Sequence, residues 1–242
     1  AFRRLPGGYV FYDEGFENVL SEPRFVSHGK VTEEVFSPRS NILEINSKSG
    51  LYPLYVTYSI YRSRIEEKYP DKTSSSLSIE EQQKLWDKTV EENIFVICKT
   101  PMAKSITKRT LTGNRPIRIN AHYFKDLVNQ ITNKAEVFVK KIKKGKTYWK
   151  ANNDNDMKFN AVVGNPPYQV MDGGTDRGAV PVYHHFVLIS KQLNPDYISM
   201  IMPARWYAGG RGLDNFRENL LQDKRMAVLV DYESSKDLFP TV

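Results

Sequence analysis

Four consecutive residues, Asn165-Pro166-Pro167-Tyr168, combine an amide, two prolines and a phenol ring. An asparagine carboxamide oxygen and a neighbouring backbone carbonyl are both acceptors, and together they can hold a planar NH2 group by its two hydrogens. Held in this way, the nitrogen is drawn toward a more tetrahedral and more nucleophilic geometry. The prolines fix the backbone and remove two donors, which leaves carbonyls free to face a pocket. The tyrosine ring offers a face on which a heterocycle can stack. The chemistry implied is activation of an amino group on a flat centre. A bare string of this kind can equally be a proline-rich turn that ends a strand. The apolar run Phe159-Asn160-Ala161-Val162-Val163-Gly164 directly before it favours a site, because ligands of open α/β sheets bind beyond the carboxyl ends of strands.

Such a strand needs a sheet around it. Short apolar runs at 41–45, 94–98, 115–120, 159–163, 198–202 and 226–230 read as strands, with segments of helical spacing between them. Leu51, Leu54, Tyr55, Tyr58 and Tyr61 share a helix face, and Pro53 suits its first turn. A capping box, Ser78-Ile79-Glu80-Glu81, opens a helix through Glu91. Further helices are expected at 101–111, 124–131, 182–193 and 213–221, and a polar turn at 152–156. Alternation of strands and helices argues for an α/β fold with a mostly parallel sheet and helices on both faces. Residues 1–40 lack periodicity and read as a lead-in of short helices or loops, and 41–242 as the main domain.

Composition narrows the class. The chain has 242 residues, with 35 Lys+Arg against 28 Asp+Glu, a net charge of +7. Its 40% hydrophobic content suffices for a core and excludes a disordered or collagen-like chain. The single cysteine, Cys98, excludes a disulfide framework and a multi-cysteine zinc site, and fits a cytoplasmic location. No apolar run is long enough to span a membrane. The basic excess is compatible with nucleic acid without requiring it.

The tetrapeptide resembles the catalytic motif of S-adenosylmethionine-dependent N6-adenine DNA methyltransferases of the restriction-modification type. The resemblance extends through Gly164 and Gln169, Asp172-Gly173-Gly174, Pro181-Val182-Tyr183-His184, Leu193 to Trp206, Gly209-Gly210, Val228-Leu229-Val230-Asp231-Tyr232 and Leu238-Phe239-Pro240. It is strong over 159–242 and weaker from 40 to 158. It implies a Rossmann-like class I methyltransferase sheet and methyl transfer to the N6 amino group of a flipped adenine in double-stranded DNA. Asn165, Pro166, Pro167 and Tyr168 become the catalytic residues.

In the gamma-type motif order of that family the cofactor segment precedes the tetrapeptide. Here it is Glu44-Ile45-Asn46-Ser47-Lys48-Ser49-Gly50. Glu44 and Gly50 match the family form, an acid followed by a glycine turn at a helix start, with Asn46 and Ser47 between them. Lys48 stands where the first glycine is usual. The family's ribose-binding acid falls on Cys98, and its adenine-contacting segment on His122 and Tyr123, with His122 in the place of an acid. A thiol cannot replace a carboxylate as an acceptor of two ribose hydroxyls. A buried structural cysteine and a core aromatic are the competing readings of Cys98 and Tyr123.

Lys140, Lys141, Lys143 and Lys144, with Tyr148 and Trp149 nearby, are candidate DNA-phosphate contacts; a solvated surface is the plain alternative. Glycines 173, 174 and 178 suggest a lid or a surface loop without function, and His184 and His185 suggest helix-face packing or solvent exposure. Two other functions share the tetrapeptide chemistry or its fold: methylation of another planar nitrogen, on a protein glutamine or an RNA base, and nucleic-acid binding with a decayed cofactor site. The chain starts without Met, and the family's last strand and target-recognition region would fall beyond Val242. The expectation is a truncated catalytic domain, with little sequence-specific methylation alone and a nuclease or helicase in the full-length protein.

Overall fold

The computed structural model describes residues 6–15, 17–71, 74–149, 156–171, 178–234 and 236. Its centre is a five-stranded sheet of β3 (Ile42–Ser47), β4 (Ile94–Cys98), β5 (Asn120–Tyr123), β6 (Ala161–Gly164) and β9 (Tyr197–Met200), in the order β5-β4-β3-β6-β9. Every pairing in it is parallel. All residues of β3, β4 and β6 are buried, as expected for strands covered on both faces.

Side-chain alternation decides what each face holds. Leu43, Ile45, Phe95, Ile97 and Val162 enter a core closed by α5 (Leu127–Asn133), α6 (Ala135–Lys143) and α7 (Tyr183–Gln192). Ile42, Ile94, Val96, Cys98, Ala161 and Val163 enter the opposite core, closed by α2 (Leu51–Lys68), α3 (Ile79–Asn93) and α4 (Pro101–Thr112). The helix starts follow local chemistry. Ser78 and Glu81 form the full reciprocal capping box on α3, and Thr100 accepts from the Ala103 amide at the start of α4. Helix α8 (Asp214–Gln222) packs Phe216 and Leu220 with Tyr183 and Trp206 in a smaller cluster.

The N-terminal segment departs from the expected loops and short helices. A hairpin of β1 (Gly8–Tyr12) and β2 (Val19–Val26) forms there, followed by the short α1 (Lys30–Val35). It docks on α2: the Tyr9 amide donates to Ser59 Oγ at 3.0 Å, and the Tyr9 and Phe11 rings meet Tyr58 edge-on. Two other strand expectations change. The strand expected at 115–120 begins only at Asn120, whose side chain donates to the carbonyl of Glu91. Met226 to Val230 forms no strand and joins no strand ladder among the described residues. The apolar run is there, but no ladder neighbour lies alongside it to satisfy its backbone groups. Asp172 to Arg177, Asn152 to Asn155 and Leu238 to Pro240 lie outside the described residues.

Candidate active site

Strand β3 has β4 on one side and β6 on the other, and the chain crosses over in opposite directions from it. The crevice beyond the carboxyl ends of β3 and β6 is therefore the topological switch point of the sheet, where doubly wound folds place ligands. Parallel pairing opposite Ile45 sets Gly164, so the tetrapeptide leaves β6 beside Asn46. A side chain at Gly164 would lie 2.9 Å from the Ile45 carbonyl.

The two segments are tied directly. Asn46 adopts φ 75° and donates its carboxamide N–H to the Asn165 carbonyl at 2.8 Å. The Tyr168 carbonyl accepts from the Val182 amide at 3.1 Å, where β7 (Gln169–Val170) and β8 (Val180–Pro181) form a two-stranded clamp. The first and last carbonyls of the tetrapeptide are thus occupied. Among the described residues no donor meets the Pro166 carbonyl. Tyr168 is half-buried; burial raises its phenol pKa against an opposing contact with the Asn165 side chain.

The end of β3 holds a buried acid. Burial pushes the Glu44 carboxyl up to about 7, opposed by a hydrogen bond with Ser47. Among the described residues, its Oε2 and the Asn46 Oδ1 are buried without a hydrogen-bond partner. Tyr52, at the start of α2, lies within electrostatic reach of Glu44 and Tyr168; burial first, then those two groups, push its hydroxyl up to about 12. Sequence reasoning missed Tyr52. The signal was its position two residues after Gly50, at the head of a helix facing the tetrapeptide.

Other candidates are placed differently. Gly50 takes φ 77°, and a side chain there would lie 2.9 Å from Thr107 Cα. The glycine is thus required by the packing of the turn on α4, and not only by a ligand. Ser47 Oγ lies 3.2 Å from Thr107 Oγ1, and Thr110 donates to the Ser49 carbonyl at 2.7 Å. Cys98 is 0% exposed, its thiol donates to Thr107 Oγ1 at 3.9 Å, and burial pushes its pKa up to about 11. It faces the core beneath α4. His122 is likewise turned into a packing layer, its ring stacked on Tyr148 at 4.3 Å. Tyr123, 46% exposed, ends β5 opposite Cys98.

The lysine run is not gathered with the tetrapeptide. Phe138, Val139 and Ile142 bury the inner face of α6, and Trp149 is 1% exposed, with Nε1 donating to the Ile142 carbonyl at 2.7 Å. The Lys143 carbonyl accepts from Met157, and Lys144 bridges Asp156. That segment leads into the amino end of β6, whereas the tetrapeptide follows the carboxyl end. The His184 ring lies tilted against that of His185 with centroids 4.0 Å apart, and burial first, then His185, lower its pKa to about 4. No helix among the described residues is long and apolar enough to cross a membrane.

A doubly wound parallel sheet that presents Asn-Pro-Pro-Tyr at its switch point defines a Rossmann-like methyltransferase fold. The profile of the Eco57I restriction-modification methylase family matches residues 92–239, more than half of the chain, and the chain belongs to that family. A relative from Mycoplasma pneumoniae, named as an uncharacterized adenine-specific methylase, is 39% identical over 87 residues. That match covers 35% of this chain and 21% of the relative, so the chain spans only a fraction of the relative's length.

Proposed function

We propose that the chain carries the catalytic centre for methyl transfer from S-adenosylmethionine to the N6 amino group of adenine in DNA, within a restriction-modification system. The observation that supports this reading is the Asn165-to-Tyr168 turn held at the switch point with its Pro166 carbonyl uncommitted among the described residues. When bound, S-adenosylmethionine supplies an electrophilic methyl group on a sulfonium. The residues at the end of β3 fit its methionine end. Glu44 Oε2 and Asn46 Oδ1 are buried polar atoms without partners among the described residues, and such groups call for an occupant. The ribose end has no acid at the tip of β4, where Cys98 packs on Thr107.

Asn165 Oδ1 and the Pro166 carbonyl accept the two N6 hydrogens, and Tyr168 stacks on the base. Extruding the adenine from a duplex costs a few kcal/mol, of which stacking offsets about 1–3 kcal/mol. Transfer then depends on positioning and polarisation, with no covalent enzyme intermediate. A second reading, a binding module with a decayed cofactor site, draws on the buried Cys98.

The test is incubation of the chain with methyl-labelled S-adenosylmethionine and adenine-containing DNA, a protein extract and RNA in separate arms. Label in N6-methyladenine of DNA that disappears in Asn165→Ala, with the variant still folded by circular dichroism, is the expected result. Label in glutamine or RNA instead moves the substrate class. A folded Asn165→Ala chain that methylates at the wild-type rate overturns the catalytic assignment. No heat on titration with millimolar S-adenosylmethionine favours the decayed site.

A further inference from the structure

A cavity of about 490 Å3 opens between α2 and α3, where the loop before β3 passes the carboxyl-terminal halves of both helices. That is the amino end of the sheet, opposite to the end that carries the tetrapeptide. Arg39, Arg64, Lys68 and Lys88 line it together with Glu67 and Glu92, four cations against two acids. We propose that it binds a small oligophosphate, of diphosphate size or longer.

The acids present do not neutralise the cations. Glu92 serves both Arg64, at 3.0 Å, and Lys88, at 3.8 Å, and Glu67 pairs with Arg39. Among the described residues Lys68 forms no ion pair; its Nζ lies 4.9 Å from the Tyr69 ring centroid. Arg64 is the most buried of these groups that form ion pairs, its side chain 11% exposed. Its Nη2 faces three acceptors, the Pro38 carbonyl at 3.2 Å, Glu92 Oε2 at 3.0 Å and Asn93 Oδ1 at 2.8 Å. Its Nε is buried without an acceptor among the described residues. The protein therefore crowds one nitrogen of the guanidinium and leaves another unserved, whereas phosphate oxygens suit the whole fork.

The walls are set before a ligand arrives. Asn93 Nδ2 donates to the Pro38 and Ser40 carbonyls at 3.0 and 2.7 Å, which fixes the loop on α3, and a preorganised site spends less on ordering. The lining also excludes other ligand classes. Pro38 and Leu85 are its apolar members, and it contains no aromatic ring on which a base could stack. The positive excess repels a metal cation. An oligophosphate brings at least two negative charges, which match the excess, and oxygens enough to reach cations on both helices. The volume suits a small ligand, for which pockets run about 300–1,000 Å3.

A free oligophosphate and the backbone of a nucleic acid share this chemistry. Calorimetric titration of the intact chain with tripolyphosphate, with citrate and with a short DNA duplex separates them. Tripolyphosphate is expected to bind, citrate to bind at least about tenfold more weakly, and the duplex to leave bound tripolyphosphate in place. Lys68→Gln/Lys88→Gln lowers the tripolyphosphate affinity about tenfold or more. Glu67→Gln, which leaves Arg39 unpaired, raises it; a gain of this kind is not what a merely structural residue gives, and it carries the test if the double variant fails to fold. Binding of S-adenosylmethionine stays unchanged in both variants. The proposal falls if tripolyphosphate does not bind at millimolar concentration, or if folded variants bind it as the wild type does. It also falls if citrate binds as tightly, which would make the cavity a general anion sink, or if the duplex displaces tripolyphosphate, which would assign these cations to a DNA backbone. The proposal does not rest on methyl transfer: a chain that transfers no methyl group can still bind here.

Discussion

Asn46 and Asn165, 119 residues apart in sequence, are joined by one hydrogen bond of 2.8 Å from the side chain of the first to the backbone of the second. It ties the turn after β3 to the Asn165-to-Tyr168 turn after β6.

Asn46 also sits at φ 75°, and two variants separate its roles. Asn46→Gly keeps the left-handed backbone accessible and removes only the bond, at an expected cost of about 1–3 kcal/mol. Asn46→Ala adds the left-handed penalty of a side chain without local hydrogen bonding, about 1 kcal/mol more. Urea unfolding reads both, and equal midpoints would show that the backbone angle carries no strain. Methyl transfer falls in both variants alike.

Glu44 makes stability depend on pH with a sign opposite to that of a paired carboxylate. Its carboxyl is raised from 4.5 to about 7 by burial. Between those values the folded chain keeps a proton that the unfolded chain has released. Stability therefore falls as pH rises through this window and levels off above it. Glu44→Gln abolishes the slope, and at about pH 8 it is more stable than wild type by a few kcal/mol. Melting curves from acid to mild base check this; a wild-type midpoint that climbs from pH 5 to pH 7 while Glu44→Gln stays flat reverses the assignment.

Cys98 is fully buried with a raised pKa, and a thiol of that kind is inert. A disulfide reagent such as DTNB should modify it in the native chain only as fast as the chain opens, and at once in denaturant. Stoichiometric labelling of folded protein within seconds would place the thiol at the surface instead, back within reach of a ribose.

Trp149 stands beside a run of lysines, yet it belongs to the core. Its ring meets Phe95 edge-on at 5.2 Å, and its indole N–H is paired with Ile142. Trp149→Ala is expected to cost about 3–5 kcal/mol in thermal or chemical unfolding. A loss of DNA affinity with unchanged stability would make it an interface residue.

Much of the fold could be read where one short segment contains its own explanation. Ser78 and Glu81 specify their helix start by spacing alone, and the short β-branched run Ile94 to Cys98 forms the buried strand its composition favours. The N-terminal hairpin could not be read this way, because Tyr9 and Phe11 are set by rings on α2 rather than by alternation. Met226 to Val230 has the composition of a strand, but a strand also requires a neighbour. Within the candidate site, the place of Asn165 to Tyr168 followed from the apolar run before it. The Asn46 contact depends on the register of β3 against β6, which no local pattern encodes. On α6, a helix of nine residues, the charges show in sequence while the burial of Phe138 and Ile142 does not.

Gly164 has no room for a β-carbon beside the Ile45 carbonyl and the Met200 sulfur. Its tolerance to mutation is therefore set by the neighbouring strand and owes nothing to substrate. A saturation library across this region should return glycine alone at 164 even when selected only for soluble expression, with Asn165 varying freely under that selection. The contrast would separate, at adjacent codons, a residue kept for folding from one kept for chemistry.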